Sequence, residues 1–336
     1  MTDTRPLLGV TLGDPAGIGP EVTVKALAEH STFDVCRPLV LGDVGAIKKA
    51  MATSGLSMTV VERDSARAAT GRHGEIEVLA LSRLADDDLI PGRPSPAGGL
   101  AAAKFIEKGA LLALSGEIDA IVTAPISKEA LNQAGYKFPG HTELLAHMSG
   151  NPPVVMMLAG DRLRVVLVTI HKALADVPKL VTMEKILETT RITNDWLCRY
   201  FGLPRPRVAV AALNPHAGES NMFGREETDI ITPAVQTLTR EGIDVSGPFP
   251  PDTLFYRAVQ GEFDVVVCMY HDQGLIPFKL LHFKDGVNVT LGLPIIRTSV
   301  DHGTAYELAG RNLADHQSMM AALKMAAEMA LRGRQK

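Results

Sequence analysis

Short apolar runs alternate along this chain with stretches of helical periodicity. Runs of strand length occupy residues 7–12, 38–43, 75–81, 120–124, 156–159, 164–170, 208–213 and 263–270. Between them, apolar residues recur with the spacing of amphipathic helices at 44–54, 100–114, 183–203 and 228–241, whereas 245–251 reads as extended and 251–255 as a turn. Such alternation is typical of parallel strands joined by helices. The pattern therefore predicts an α/β fold.

Polar residues follow several of the predicted strands at the point where each ends. His171, His216 and His271 each follow a different apolar run, and Lys128 stands just after another. Ligands of open α/β sheets bind outside the carboxyl ends of the strands. We therefore expect the active site at this edge, with most of its chemistry between Cys268 and Ala305.

The three strand-end histidines admit three interpretations. In the first, three imidazoles and one open coordination position form a catalytic site for a divalent metal, with zinc as the first candidate. However, about fifty residues separate successive histidines, so they do not form a compact ligand motif. The second interpretation is that the histidines are polar active-site residues without a metal. The third is that they are structural residues whose hydrogen bonds are satisfied within the fold. Asp272 and Asp252 are candidates to orient a ligand imidazole or to transfer a proton.

An anionic substrate is favoured by basic and polar residues set among apolar ones. Lys279, Asn288 and Arg297 suit a phosphate, Arg through a fork of hydrogen bonds and Lys as a point charge. His141 and Thr142 open a predicted helix, whose free N–H groups favour a phosphate or carboxylate, although an ordinary helix cap explains them too.

A glycine-rich turn follows the first strand. Its glycines fall at 13, 17 and 19, which is not the G-x-G-x-x-G fingerprint, so the turn gives no support for a Rossmann dinucleotide site. A tight strand-to-helix turn with positive φ is the simpler interpretation. Asp14 lies just beyond the strand and is a candidate to face a cleft.

Composition narrows the class of protein. The chain has 336 residues, 46% hydrophobic residues and a net charge of −4, which gives no electrostatic footprint for nucleic acid or membrane. Three scattered cysteines indicate free thiols in a reducing cytosol. No apolar run approaches the roughly 20 residues of a membrane span, and the first residues lack signal-peptide features. We expect a cytoplasmic protein.

Several long motifs occur together and in order along nearly the whole chain: TLGDPAGIGPE, TAPISKEAL, GYKFPGHTELLA, LNPHAGE, PDTLF, MYHDQG and NVTLGLPIIRTSVDHGTA. Together they resemble the 4-hydroxythreonine-4-phosphate dehydrogenase family of vitamin B6 biosynthesis. The first glycine turn and the segment HGTA are also similar to parts of isocitrate and isopropylmalate dehydrogenases, whose nicotinamide site is not a Rossmann one.

The resemblance implies two α/β/α domains, residues 1–138 with 290–336 and residues 139–289, with the active site in the interdomain cleft of a homodimer. It implies a divalent metal on His171, His216 and His271, with both subunits contributing; zinc is expected, with magnesium and cobalt as alternatives. It places the substrate on His141, Thr142, Lys279, Asn288 and Arg297. It also places the cofactor, NAD or NADP, on Gly13, Asp14, His302, Gly303 and Thr304.

The implied reaction is oxidation of 4-phosphooxy-L-threonine at its 3-hydroxyl and decarboxylation to 3-amino-2-oxopropyl phosphate. The candidate catalytic residues are Asp272, Asp252 and Lys128, with a metal-bound hydroxide as another candidate base. Related enzymes of the family act on 4-phospho-threonate or 4-phospho-erythronate, and others on cyclic diols. A non-catalytic metabolite-binding protein of the same fold is the remaining alternative.

Overall fold

A computed structural model describes residues 3–334 of the chain. The strands are β1 Leu7–Thr11, β2 Arg37–Asp43, β3 Thr59–Glu62, β4 Glu75–Ser82, β5 Ala120–Thr123, β6 Val155–Ala159, β7 Arg164–Leu167, β8 Val208–Ala211, β9 Val245–Phe249, β10 Val265–Cys268, β11 Val287–Leu291 and β12 Arg297–Val300. The helices are α1 Gly19–Ala28, α2 His30–Val35, α3 Val44–Ser54, α4 Pro96–Leu114, α5 Lys128–Gln133, α6 His141–Met148, α7 Val177–Leu180, α8 Met183–Tyr200, α9 Thr232–Arg240, α10 Pro251–Val259, α11 His271–His282 and α12 Gln317–Arg334.

The contact pattern divides the described chain into two compact units. One runs from the beginning of the described chain to Pro153 and resumes at Leu293, and the other spans Val154–Gly292. The domain boundaries predicted from the sequence stay a prediction. His141 and Thr142 belong to the first unit, because α6 packs against α4.

The first unit contains a fully parallel sheet with the strand order β3-β4-β2-β1-β5-β12. Strands β1 and β5 pair in register from Leu8 with Ala120 to Thr11 with Thr123, and every residue of both is buried. Strands covered on both faces read as continuous apolar runs, and this explains their sequence pattern. The register aligns the carboxyl ends of β1 and β5, which the glycine turn and the 124–128 loop follow.

The second unit contains a mixed sheet with the order β11-β6-β7-β10-β8-β9. Strand β6 is antiparallel to both β11 and β7, whereas β7, β10, β8 and β9 run parallel to one another. A core that includes Val165, Ala209, Val266 and Phe278 lies between these strands and the helices. The ends of β7, β10 and β8 therefore lie side by side at one edge of the sheet.

The structure confirms the predicted α/β fold class, and a strand is present in each of the eight predicted apolar runs. One local prediction was wrong, because 251–255 is the first part of helix α10 rather than a turn. Pro251 occupies the first turn of that helix, where proline's missing N–H costs no hydrogen bond. The Gly13 turn has the predicted positive φ, at 72°.

Candidate active site

The second unit brings together the ends of the three strands that precede the predicted metal ligands. His171 and His216 lie in the loops beyond β7 and β8, and His271 is the first residue of α11, three residues beyond the end of β10. The rings of His171 and His271 approach to 5.5 Å between centroids. The strand order β7-β10-β8 explains how histidines far apart in sequence reach one edge.

Hydrogen bonds fix these strand ends to one another. The Thr169 hydroxyl donates to the carbonyl of Met269 at 2.7 Å. The buried side chain of Gln273 accepts from Met269 N–H at 2.7 Å and donates to the carbonyl of Ala212 at 2.7 Å. Gln273 thus bridges the ends of β10 and β8. Gln273 was not predicted to join two strands; the sequence signals this role only through its position in the His-Asp-Gln-Gly segment after a strand.

Asp272 contacts the first histidine of α11. Its carboxylate Oδ1 lies 2.7 Å from His271 Nδ1, which leaves Nε2 of the ring to face a ligand. Ligand histidines in metal sites are usually oriented by such a carboxylate. The donor chemistry of His171 and His271 therefore fits a divalent metal. Within residues 3–334, however, no group of three His, Cys, Asp or Glu side chains is arranged to hold a metal ion, and the three-histidine set stays a prediction.

His216 lies in a loop of unusual backbone conformation. It has a φ of 51°, and the residues that follow it to Asn221 also have positive φ values. The imidazole is exposed, and its ring centroid lies 6.4 Å from that of Phe223.

The other predicted site residues of the second unit lie on three elements. Asp252 is exposed in the first turn of α10, Lys279 is half-buried on α11, and Asn288 is half-buried in β11. Lys279 is separated from His271 by about 12 Å along the helix axis, given the 1.5 Å rise per residue. The structure therefore places Lys279 well away from the histidine end of α11.

In the first unit, the glycine turn is constrained by its neighbours. A Cβ on Gly13 would lie 2.3 Å from the carbonyl oxygen of Pro125, so both the positive φ and the space require glycine. Asp14 is buried; its carboxylate accepts from Ala16 N–H at 2.9 Å and from the Tyr306 hydroxyl at 2.6 Å. Burial raises the pKa of the Asp14 carboxyl, and the two hydrogen bonds only partly oppose this shift.

The segment after β12 packs on the same turn. Ile18 N–H donates to the carbonyl of Thr304 at 3.0 Å, and Gly17 lies so close to Thr304 that a Cβ would be 3.0 Å from its carbonyl oxygen. Nδ1 of His302 lies 3.0 Å from the carbonyl oxygen of Gly303, which is itself exposed with open space around its Cα. The predicted cofactor residues of the turn and of this segment thus lie together, with backbone that a ligand can approach.

Arg297 is buried at the start of β12. Its Nε and Nη2 donate to the hydroxyl of Thr123 at 3.1 and 2.8 Å. Burial lowers the pKa of Arg297 to about 9, partly opposed by Glu143, so the guanidinium is charged at neutral pH. Thr123 was not predicted as a site residue, because in the sequence it reads as part of an ordinary strand.

Lys128 lies near Gly140, the residue that precedes His141 at the beginning of α6. Nε2 of His141 is buried and has no hydrogen-bond partner among the described residues. Burial, reinforced by the charge of Arg297, holds the pKa of His141 well below its usual range, so the ring is neutral. Lys128 is exposed at the beginning of α5, and its Cε would lie 3.9 Å from a Cβ on Gly140, beside His141. Thr142 is half-buried in the first turn of α6.

Comparison with known proteins identifies the family of this chain. Residues 34–326 match the family model described as "Pyridoxal phosphate biosynthetic protein PdxA". The chain belongs to the PdxA family. The resemblance proposed from the sequence motifs is thereby confirmed.

The PdxA relatives carry two kinds of name. A 4-hydroxythreonine-4-phosphate dehydrogenase of Desulforapulum autotrophicum is 55% identical over 97% of this chain and 96% of its own. A D-threonate 4-phosphate dehydrogenase of Cupriavidus necator is 46% identical over 99% of both chains. A solved 4-hydroxythreonine-4-phosphate dehydrogenase of Klebsiella pneumoniae has a TM-score of 0.90 at 40% identity, covering 98% of this chain and 99% of its own. These relatives are named as dehydrogenases, and the fold shared with the solved structure extends over 98% of this chain.

Proposed function

We propose that this protein is a 4-hydroxythreonine-4-phosphate dehydrogenase. It oxidises the 3-hydroxyl of 4-phosphooxy-L-threonine with NAD or NADP, and the resulting β-keto acid loses carbon dioxide to give 3-amino-2-oxopropyl phosphate. The observation that carries the proposal is the 55% identity to a relative of that name along 97% of this chain. The buried Arg297 and the neutral His141 supply groups suited to a phosphorylated substrate.

We assign a divalent metal, zinc first, to His171, His216 and His271, and the nicotinamide cofactor to Gly13, Asp14, His302, Gly303 and Thr304. When bound, the metal would lower the pKa of the substrate hydroxyl and polarise the new carbonyl, and the cofactor would accept the hydride. The His271–Asp272 contact supports the metal assignment, because Asp272 can fix the orientation of the ring.

Phosphate binding is assigned to Arg297 and Lys279. Arg297 is fixed by its bonds to Thr123, so little conformational freedom is lost when it binds an anion. Asn288 and Thr142 are assigned to other polar atoms of the substrate. His141 is neutral, and its Nε2 has no partner among the described residues, so it can either donate or accept a hydrogen bond from a substrate.

We assign the transfer of the hydroxyl proton to Lys128. Its side chain is exposed beside the helix start that carries His141. The Asp272 carboxylate already contacts His271 and is better suited to orienting that ring. Asp252 is exposed in α10. We assign it a position near the proposed metal but not a role as a metal ligand.

A homodimer is part of the proposal. Ile276, Leu280 and Phe283 are 67%, 85% and 78% exposed, and their spacing places them on one face of α11 and its continuation. A row of large apolar side chains exposed to water is typical of a protein interface. A second copy of the chain is the proposed partner, and the dimer is expected to become monomeric, by light scattering, when Leu280 is replaced by Glu.

A cytoplasmic location is also proposed. Cys36, Cys198 and Cys268 are all free thiols, as is usual in a reducing compartment. None of the described helices is long and apolar enough to cross a membrane.

The second candidate function is oxidation of 4-phospho-D-threonate, and the 46% identical relative of Cupriavidus necator favours it. Both candidates keep the phosphate-binding residues and differ in the substituent at C2. The test is a spectrophotometric assay of zinc-loaded protein with NAD and each of 4-phosphooxy-L-threonine, 4-phospho-threonate and 4-phospho-erythronate. Turnover of the amino acid alone supports the proposal, turnover of only the sugar-acid phosphates selects the alternative, and no turnover with any of them rejects both.

A further inference from the structure

The loop that carries His216 has a backbone conformation that L-amino acids rarely adopt. Residues 216–221 have successive φ values of 51°, 55°, 81°, 41°, 54° and 73°, and only one of the six is glycine. Single left-handed residues are common in turns, but a run of them is disfavoured by contacts between Cβ and the following carbonyl. Such a segment keeps its shape only when its surroundings fix it.

One buried carboxylate makes most of the contacts at the beginning of this loop. Glu227, which is 4% exposed, accepts from the N–H groups of Leu213 and Asn214 at 2.9 and 2.8 Å through Oε1. Its Oε2 accepts from Nδ2 of Asn214 at 2.9 Å. These bonds fix the chain immediately before His216.

The left-handed segment itself closes over the same carboxylate. A Cβ on Gly218 would lie 2.8 Å from Oε2 of Glu227, so the loop backbone passes the carboxylate at close range. The far end of the segment is held by the hydroxyl of Thr228, which donates to Oδ1 of Asn221 at 2.6 Å. Glu227 and Thr228 belong to a π-helical turn, Glu227–Ile231, a conformation often found at functional sites.

The imidazole of His216 is left exposed by this arrangement. No hydrogen bond or ion pair joins it to another residue of the described chain, and its ring contact is with Phe223. Both oxygens of Glu227 accept hydrogen bonds from donors of the loop, so the buried carboxylate acts on the loop.

We infer that Glu227 is a positioning residue for the metal site: it fixes the left-handed 216–221 segment and thereby sets His216 in place to bind the metal. This inference rests on the proposed metal assignment. It predicts that metal affinity depends on Glu227 although Glu227 never touches the metal, because an unfixed loop must be ordered when the metal binds.

The test is the Zn²⁺ affinity of the metal-free full-length protein, measured by competition with a chromophoric chelator. Replacing Glu227 by Gln keeps the volume but turns one oxygen into an NH₂ group that faces the Nδ2 donor of Asn214. The affinity is expected to fall about ten- to hundredfold, as for other residues that orient metal ligands. Glu226→Gln is the matched control, since Glu226 accepts from the Asn214 side chain and, among residues 3–334, has no bond to the main chain of the loop.

Two further variants separate positioning from general destabilisation. Leu163→Ala removes a buried side chain just before β7, at the opposite end of that strand from His171. This variant is expected to have a lower melting temperature but an unchanged Zn²⁺ affinity. Gly218→Ala, at a φ of 81° and against Oε2 of Glu227, is expected to weaken Zn²⁺ binding as E227Q does, and it replaces E227Q if that variant does not fold.

The outcomes separate this inference from the proposed function. Loss of affinity in His216→Ala, E227Q and G218A, with E226Q and L163A unchanged, supports it. Wild-type affinity in E227Q or G218A overturns the positioning role while the metal site stands. Wild-type affinity in H216A overturns both the metal assignment and the inference.

Discussion

The hydroxyl of Tyr306 donates a hydrogen bond of 2.6 Å to the carboxylate of Asp14, although the two residues are 292 positions apart in the chain. The bond joins the turn after β1 to the segment after β12. Burial and the bond to Asp14 both raise the pKa of Tyr306, so its hydroxyl remains a donor at neutral pH. The turn after β1 and the segment after β12 both contain residues proposed to bind the nicotinamide cofactor.

Replacing Tyr306 by Phe leaves Oδ2 of Asp14 buried without its donor. The free energy of unfolding is expected to fall by about 1–3 kcal/mol, the cost of an unsatisfied buried acceptor, and the KM for NAD is expected to rise as the turn loosens. Urea unfolding and steady-state kinetics measure the two effects. Tyr256→Phe is the control, because Tyr256 is 72% exposed and no change is expected there. Stability within about 0.5 kcal/mol of wild type would show that the bond contributes little.

The neutrality of His141 predicts its behaviour in NMR. Burial first, and then the charge of Arg297, lowers the pKa of His141 well below 6.5, so its ring nitrogens should give the shifts of neutral imidazole at pH 6. Below pH 6.5 the imidazole is protonated in the unfolded chain but stays neutral in the folded protein. His141 therefore lowers the free energy of unfolding as the pH falls through 6.5. His141→Asn should remove that dependence. A midpoint at or above 6.5 in the folded protein contradicts the prediction.

The ionisation of Glu77 is expected to make the free energy of unfolding depend on pH in a second, more acidic range. Burial raises the pKa of this carboxylate, but N–H bonds from Thr70 and Gly71 and an ion pair with Arg63 outweigh burial and hold the pKa below 4.5. The stabilisation is therefore present above the unfolded-state pKa and is lost as the pH falls through the folded-state value. Thermal melts between pH 7 and 3 should show a shallower acid decline for Glu77→Gln, from a lower starting stability. Parallel curves for the two proteins would reject this role.

The assignments of Lys128 and Asp272 predict different kinetic defects. Lys128→Met should lower kcat by about 10²–10⁴, the usual contribution of a general base, with metal affinity unchanged. Asp272→Asn should weaken metal binding by about ten- to hundredfold, and its turnover should recover when zinc is saturating.

Two results would change these assignments. Full turnover in Lys128→Met would eliminate Lys128 as the base. A defect in Asp272→Asn that saturating zinc does not repair would return Asp272 to the candidate bases. The comparison uses metal-loaded protein in both cases, with zinc content measured in parallel.

The sequence by itself determined the fold class, most strands and the position of the histidines at strand ends. These features depend on periodicity and on local backbone chemistry, as at Gly13, and a single stretch of chain contains all the information needed. The family also followed from motifs whose residues are contiguous.

Only the tertiary structure decided which side chains meet. The strand order β7-β10-β8 places Gln273 between Met269 and Ala212. Helix α10 replaced a predicted turn, since proline suits both a turn and the first position of a helix. The Tyr306–Asp14 bond and the contacts of Glu227 depend on how separate segments pack. Burial is a property of the folded chain, so the pKa values of His141 and Arg297 could not follow from their neighbours in sequence.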